Sequence, residues 1–214
     1  MGVSERKEKE KEIRRNDIID AAEKVFFSKG YDLATMDDVA KTAEFSKRTI
    51  YVYFNSKEQI YFEIMIRGYK LLISMIDEYV SNSKDDGITK VRKLGEVFFC
   101  FSKHHPNYFY AIMNYENGEL DFSSGIPDKS REQCYELGEI IFQYLSDFLE
   151  QGIREKIIRE DIDIKSTAIL LWSFTVGIFT TLKKKKNYIV EVHHKSVDEL
   201  LEVAFNMLTK TIEK

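Results

Sequence analysis

The chain has 214 residues, of which 43% are apolar, 32% charged and 13% aromatic, with 32 basic against 36 acidic side chains and a net charge of −4. That length suffices for one or two domains with a real core, and the near-balanced charge excludes a polybasic tail or a polyanionic coat. An apolar fraction near the globular norm excludes wholesale disorder. Two prolines in the whole chain predict a mostly helical protein, because helix interiors tolerate proline badly. Cys100 and Cys134 stand alone, giving neither a disulfide framework nor a Cys-x-x-Cys zinc site. The N-terminal MGVSERKEKEKEIRR is charged where a signal peptide is apolar, so export is not expected. The longest uncharged run, Ser166 to Leu182, is seventeen residues and carries six Ser or Thr. A spanning helix needs about 20 mainly apolar residues, so a cytoplasmic chain with no membrane partner is expected.

Residues 1–12 form a charged extension with almost nothing to bury, read as a solvated or frayed continuation of the first helix. A basic arm reaching DNA is the sharper alternative, weakened by interleaved glutamates. From Ile13 the apolar residues Ile18, Ala22, Val25 and Phe26 recur at helical spacing, and Gly30 stands where a C-terminal glycine belongs. Thr35-x-x-Asp38 starts a short helix with Val39, Ala40 and Ala43 inward. Ser46 caps another, with Ile50 and Phe54 on one side. Ser56-x-x-Gln59 opens a long helix over 57–82. Asn82 to Gly87 is a loop, followed by helices near 88–103, 106–117, 129–152, 164–185 and 196–212. The stretch 117–128, with Gly118, Gly125 and Pro127, is predicted as a loop, and no strand is expected.

Short helix, tight turn and second helix over 35–54 is the sequence form of a helix-turn-helix. With Ile50 and Phe54 inward, the second helix presents Lys47, Arg48, Thr49, Tyr51, Val52 and Tyr53 outward, a set suited to phosphates and base edges. Between Lys41 and Lys57 there are four cations and one carboxylate, Glu44, a local +3 inside an acidic chain. Lys57 also stands in the first turn of the next helix, where free backbone N–H groups favour a phosphate.

The stretch TMDDVAKTAEFSKRTIYVYFNSKEQI, from Thr35 to Ile60, with the preceding AAEKVFFSKGYDLAT, resembles the DNA-binding domain of the TetR family of transcriptional regulators. The resemblance is close over residues 13–61; beyond, only the helical layout agrees. It implies an all-α protein with a three-helix DNA-binding domain over 13–56 and a helical ligand-binding and dimerisation domain over 57–214. It also implies that Thr35 touches a phosphate while capping its helix, that Lys47, Thr49, Tyr51 and Tyr53 contact DNA, and that Lys57 holds the backbone. Two residues depart from the family's pattern. Glu44 replaces a usual glycine in the turn, where a left-handed backbone costs of order 1–2 kcal/mol for other residues. Arg48 replaces a usual small residue and adds a cation to the reading face.

In the C-terminal region, seven aromatics fall between Phe98 and Tyr115. Such a cluster is ordinarily core. Its mixture of rings with Met113 and polar groups also suits a ligand pocket, walled by Met65, Tyr69, Leu72, Phe98, Phe101, Phe109, Tyr110, Met113, Phe142, Trp172 and Val176 and admitting an apolar or amphipathic molecule. The helix from Ile164 is apolar nearly all round and must be covered on more than one side. The resemblance implies that it pairs with the last helix across a two-fold axis, through Trp172, Gly177, Phe179, Leu200, Leu201, Ala204, Phe205 and Leu208. Lys183 to Lys186 read as a solvated helix end.

No phosphate loop, nucleophile elbow or His-Glu-x-x-His is present, and His104–His105 and His193–His194 diverge by about 100° on a helix. No enzyme, cofactor or metal is expected. The expected partners are double-stranded operator DNA, a second copy of the chain and a small-molecule effector. The alternative is a DNA-binding regulator whose C-terminal domain serves dimerisation or protein docking without a sensor.

Overall fold

The structure is a computed structural model that describes residues 2–115 and 128–214. Among these it contains ten α-helices and no strand. They are α1 (Val3–Lys29), α2 (Met36–Thr42), α3 (Lys47–Tyr53), α4 (Lys57–Ile76), α5 (Gly87–His104), α6 (Pro106–Met113), α7 (Lys129–Arg154), α8 (Ile164–Lys184), α9 (Lys186–His193) and α10 (Val197–Ile212). The loop expected over 117–128 falls almost entirely outside the described residues.

The chain divides into two compact units, residues 1–68 with 114–135 and residues 69–113 with 136–214. The boundary expected at 56/57 therefore moves into α4. Its first three turns pack on α1, where Arg67 pairs with Asp20 and Glu23 at 2.6 and 3.0 Å and Arg15 pairs with Glu63 at 2.7 Å.

In the first unit the charged extension is helical from Val3, so α1 is 27 residues long. The side chains of Ser4 to Glu12 are all exposed, and Arg14 reaches back to Glu10 at 2.7 Å. Gly30 ends α1 at φ 82°, a backbone open to glycine without strain, and its N–H reaches the Phe26 carbonyl. Ile18, Ala22, Val39, Ile50, Phe54, Ile60 and Ile64 make the core of this unit.

In the second unit α4 ends in a π-helical turn, Asp77–Ser81. Asp77 accepts hydroxyl bonds there from Ser81 at 2.8 Å and Tyr144 at 2.5 Å. Burial first, then bonding to Asp77, pushes the Tyr144 phenol up to about 12. Asp86 caps α5 through the Thr89 N–H at 2.8 Å. Gly87 beside it lets α5 meet the backbone of α7, since a Cβ there would lie 2.2 Å from the Gly152 nitrogen. Leu72, Phe98, Phe101, Phe109, Phe148, Leu171, Phe179, Leu201 and Phe205 fill the interior. The short helix α9, not foreseen in the sequence, has no buried residue and ends at His194 in the left-handed region. The chain end is clasped by an isolated antiparallel bridge between Ile158 and Glu213.

Candidate nucleic-acid interface

Local capping builds the helix-turn-helix. Thr35 accepts the Asp38 N–H at 3.2 Å, and the Asp38 carboxylate accepts the Thr35 N–H at 3.1 Å and its hydroxyl at 2.8 Å. Lys29 reaches the other carboxylate oxygen at 2.5 Å. The Lys29 ammonium foremost, then the Thr35 hydroxyl and amide, hold the Asp38 carboxyl down at about 2. Glu44 in the turn adopts φ 58°, the left-handed backbone anticipated for that position, and the Phe45 N–H returns to the Ala40 carbonyl at 3.0 Å. Ser46 then caps α3 by accepting the Thr49 N–H at 3.1 Å.

Two side chains anchor α3 inward, Ile50 at 0% and Phe54 at 1% exposure. Arg48, Tyr51 and Val52 point outward into solvent, while Thr49 and Tyr53 are half-buried. Ser56 accepts the Gln59 N–H at 3.1 Å and Gln59 accepts the Asn55 N–H at 2.8 Å, a complete capping box at the head of α4.

The remaining expected DNA contacts already have partners inside the protein. Lys47 pairs with Asp37 at 2.9 Å, and that bond raises the lysine pKa. The local +3 is thus diluted by a carboxylate just outside the counted window. The hydroxyls of Thr49 and Ser46 lie 2.8 Å apart. Lys57 directs its ammonium onto the carbonyls of Tyr31 and Ala34 at 2.8 and 3.1 Å, and stands 4.2 Å over the Tyr31 ring. It braces the α1–α2 connection, through carbonyls 23 and 26 residues earlier that sequence spacing does not reveal. Arg15 counts in the sequence only among the cations of the alternative basic arm, whereas its guanidinium lies 4.7 Å over the Phe54 ring. No local pattern joins residues so far apart.

The residues expected to wall a pocket fall in both units. Met65 is buried in the first unit. In the second, Leu72, Phe98, Phe101 and Phe109 are core, and Tyr69, Tyr110, Met113, Phe142 and Val176 are half-buried. Rings fill much of that core: Phe179 stands 5.6 Å from Phe99, 6.3 Å from Phe109 and 6.3 Å from Phe205. This reassigns three residues expected at the dimer interface. Phe179, Leu201 and Phe205 are buried within their own chain because they pack on one another's helices. Leu200, Ala204 and Leu208 are half-buried. Trp172, expected in both places, is 47% exposed and shares an outward face of α8 with Ile169, Leu170 and Phe174. Gly177 has open space where a Cβ would stand. By length and composition α8 is apolar enough to cross a membrane, yet only 17% of its apolar window is buried inside the chain. Most of its apolar surface is therefore left uncovered by the described residues of this chain.

Residues 18–64 match the family described as bacterial regulatory proteins, tetR family. The chain is 32% identical over 99 residues to the HTH-type transcriptional activator FasR of Mycolicibacterium smegmatis, covering 46% of this chain and 45% of that one. It thus spans under half the length of that relative. It is 25% identical over 198 residues to the biofilm operon icaADBC HTH-type negative transcriptional regulator IcaR of Staphylococcus aureus, covering 92% of this chain and all of that one. Among solved structures, the fatty acid degradation regulator FadR of Bacillus halodurans superposes with TM-score 0.68 at 19% identity, over 92% of this chain and 94% of that one. A protein of unknown function from Rhodococcus sp. RHA1 does so with TM-score 0.72 at 15% identity, over 94% and 95%. The capped helix-turn-helix and the family match make residues 18–64 a DNA-binding domain of the bacterial regulatory proteins, tetR family, and the likenesses over the rest of the chain support a TetR-family transcriptional regulator.

Proposed function

We propose that the chain is a sequence-specific repressor that acts in the cytoplasm as a homodimer and leaves its operator when an apolar or amphipathic small molecule binds the second unit. The outward face of α3 carries the DNA-binding reading. It shows Arg48, Tyr51 and Val52 to solvent while Ile50 and Phe54 fix the helix from beneath. Arg48 and the phenols of Tyr51 and Tyr53 supply the groups that meet phosphates and base edges in a major groove. The sign of regulation draws on the negative regulator that this chain matches over that protein's whole length. The ligand class draws on the aromatic lining of the second unit and on a fold neighbour that regulates fatty acid degradation. The exposed apolar face of α8 supports the dimer, and two recognition helices would read half-sites about 34–36 Å apart.

In the mechanism, α4 carries the signal, since its first turns brace the reading head and its later turns belong to the second unit. Effector and DNA then weaken each other by the same factor. The test is fluorescence anisotropy on duplexes from the gene's own upstream region and from randomised pools, at two salt concentrations, against a scrambled control. Selective binding that weakens steeply with salt and is lost with Tyr51→Ala is expected. Equal binding to selected and scrambled duplexes overturns the reading.

A further inference from the structure

Four side chains from four elements of the first unit meet beneath the recognition helix. Glu63 on α4 grips Arg15 of α1 with both oxygens, accepting Nη2 on Oε1 at 2.7 Å and Nη1 on Oε2 at 2.9 Å. The Arg15 guanidinium lies 4.7 Å over the ring of Phe54, the buried residue that closes α3. From the first turn of α7, Ser130 donates its hydroxyl to the same Oε1 of Glu63 at 2.5 Å, and Ser130 is itself only 5% exposed.

The first turn of α7 is fixed in place. Asp128 accepts the Ser130 and Arg131 N–H groups at 2.9 and 3.3 Å. One turn on, the Cys134 thiol donates to the Phe62 carbonyl at 3.3 Å. Burial first, then the charges of Glu63 and Asp128, pushes that thiol up to about 12, so it stays protonated.

A guanidinium fork copies the plane of the carboxylate that holds it. Whatever fixes the Glu63 carboxylate therefore fixes the face that Arg15 lays on Phe54. We infer that Ser130 is a positioning residue for DNA recognition: through Glu63 and Arg15 it sets Phe54, and with it the tilt of α3. The inference rests on the reading of α3 as the recognition helix. It gives the first turn of α7 an influence on the reading head through a single side chain of α4, Glu63.

Two simpler roles are separable from this one. If Arg15 contacts a phosphate, losing it lowers the salt slope of binding by about one. If the network only stabilises the fold, selectivity among duplexes does not change in a folded variant. The experiment uses the full chain and a duplex enriched by the wild type from a randomised pool, with a scrambled duplex as reference. Ser130→Ala, Ser130→Thr, Arg15→Gln and Glu63→Gln are compared for selectivity, salt slope and melting temperature. Ser130→Ala and Glu63→Gln are expected to lose about tenfold in selectivity, the lower end of what one charge-assisted hydrogen bond is worth. Their salt slopes stay at the wild-type value, and Ser130→Thr, which keeps the hydroxyl, restores selectivity. Unchanged selectivity in folded Ser130→Ala and Glu63→Gln overturns the inference alone. A lower slope in Arg15→Gln with Ser130→Ala silent assigns Arg15 to the phosphate and also overturns it. A wild type that enriches no sequence removes the DNA reading and the inference with it.

Discussion

Lys57 acts inside the protein as a structural brace, with two carbonyls and one aromatic face around its ammonium. Hydrogen bonds from a charged donor are worth about 1.5–3 kcal/mol each when they are removed from a protected site. Lys57 is half-buried, so the lower end applies. Lys57→Met is expected to lower unfolding stability by about 2 kcal/mol in urea titration, with the salt slope of DNA binding unchanged. A slope reduced by about one would return Lys57 to the phosphate. Asp38 gives a pH signature. Its folded pKa of about 2 lies below the usual 3.8, so its contribution is complete above pH 4 and is lost as pH falls from 4 towards 2. Asp38→Asn is expected to flatten the acid limb of the stability curve. An unchanged acid limb would mean that the capping box does not hold α2 in solution.

At the scale of elements, the helix-turn-helix is nearly all legible in the sequence because its determinants are short-range. Thr35, Ser46 and Ser56 each act on the residue three positions on, and the burial of Ile50 and Phe54 follows from a four-residue spacing. The second unit is less legible. A helix apolar on every side says that all faces are covered, and not by which chain. Hence Phe179, Leu201 and Phe205 turn inward to their own chain, while Ile169, Leu170, Trp172 and Phe174 remain outside. The start of α7 in the first unit was equally invisible, because Ser130 and Glu63 are 67 residues apart. The division of α8 predicts that a charge on its outer face, as in Phe174→Glu, converts dimer to monomer without unfolding the chain. Sedimentation velocity and circular dichroism check this together, and a variant that remains dimeric moves the interface elsewhere.

For the whole molecule, the proposed function makes the two units, which α4 and α7 both enter, a reader and a sensor in one chain. The coupling between them is a free energy, so it has the same size from either end. A screening strategy follows: the operator itself reports on ligands, because any effector that releases DNA must bind more weakly when DNA is present. Assembly enters the same balance in the proposed function, since one α3 per chain would read one half-site and the second half-site would be reached only through a second copy.

The uncovered side of α8 also bears on how the regulator persists in a cell. A newly made chain without a mate displays Ile169, Leu170, Trp172 and Phe174 together, a sticky face of the kind that quality-control systems retain or degrade. If the proposed dimer covers that face, turnover depends on abundance, because pairing slows as chains become scarce. The cellular half-life should lengthen as expression rises, giving the regulator a threshold concentration set by protein lifetime before any operator is occupied.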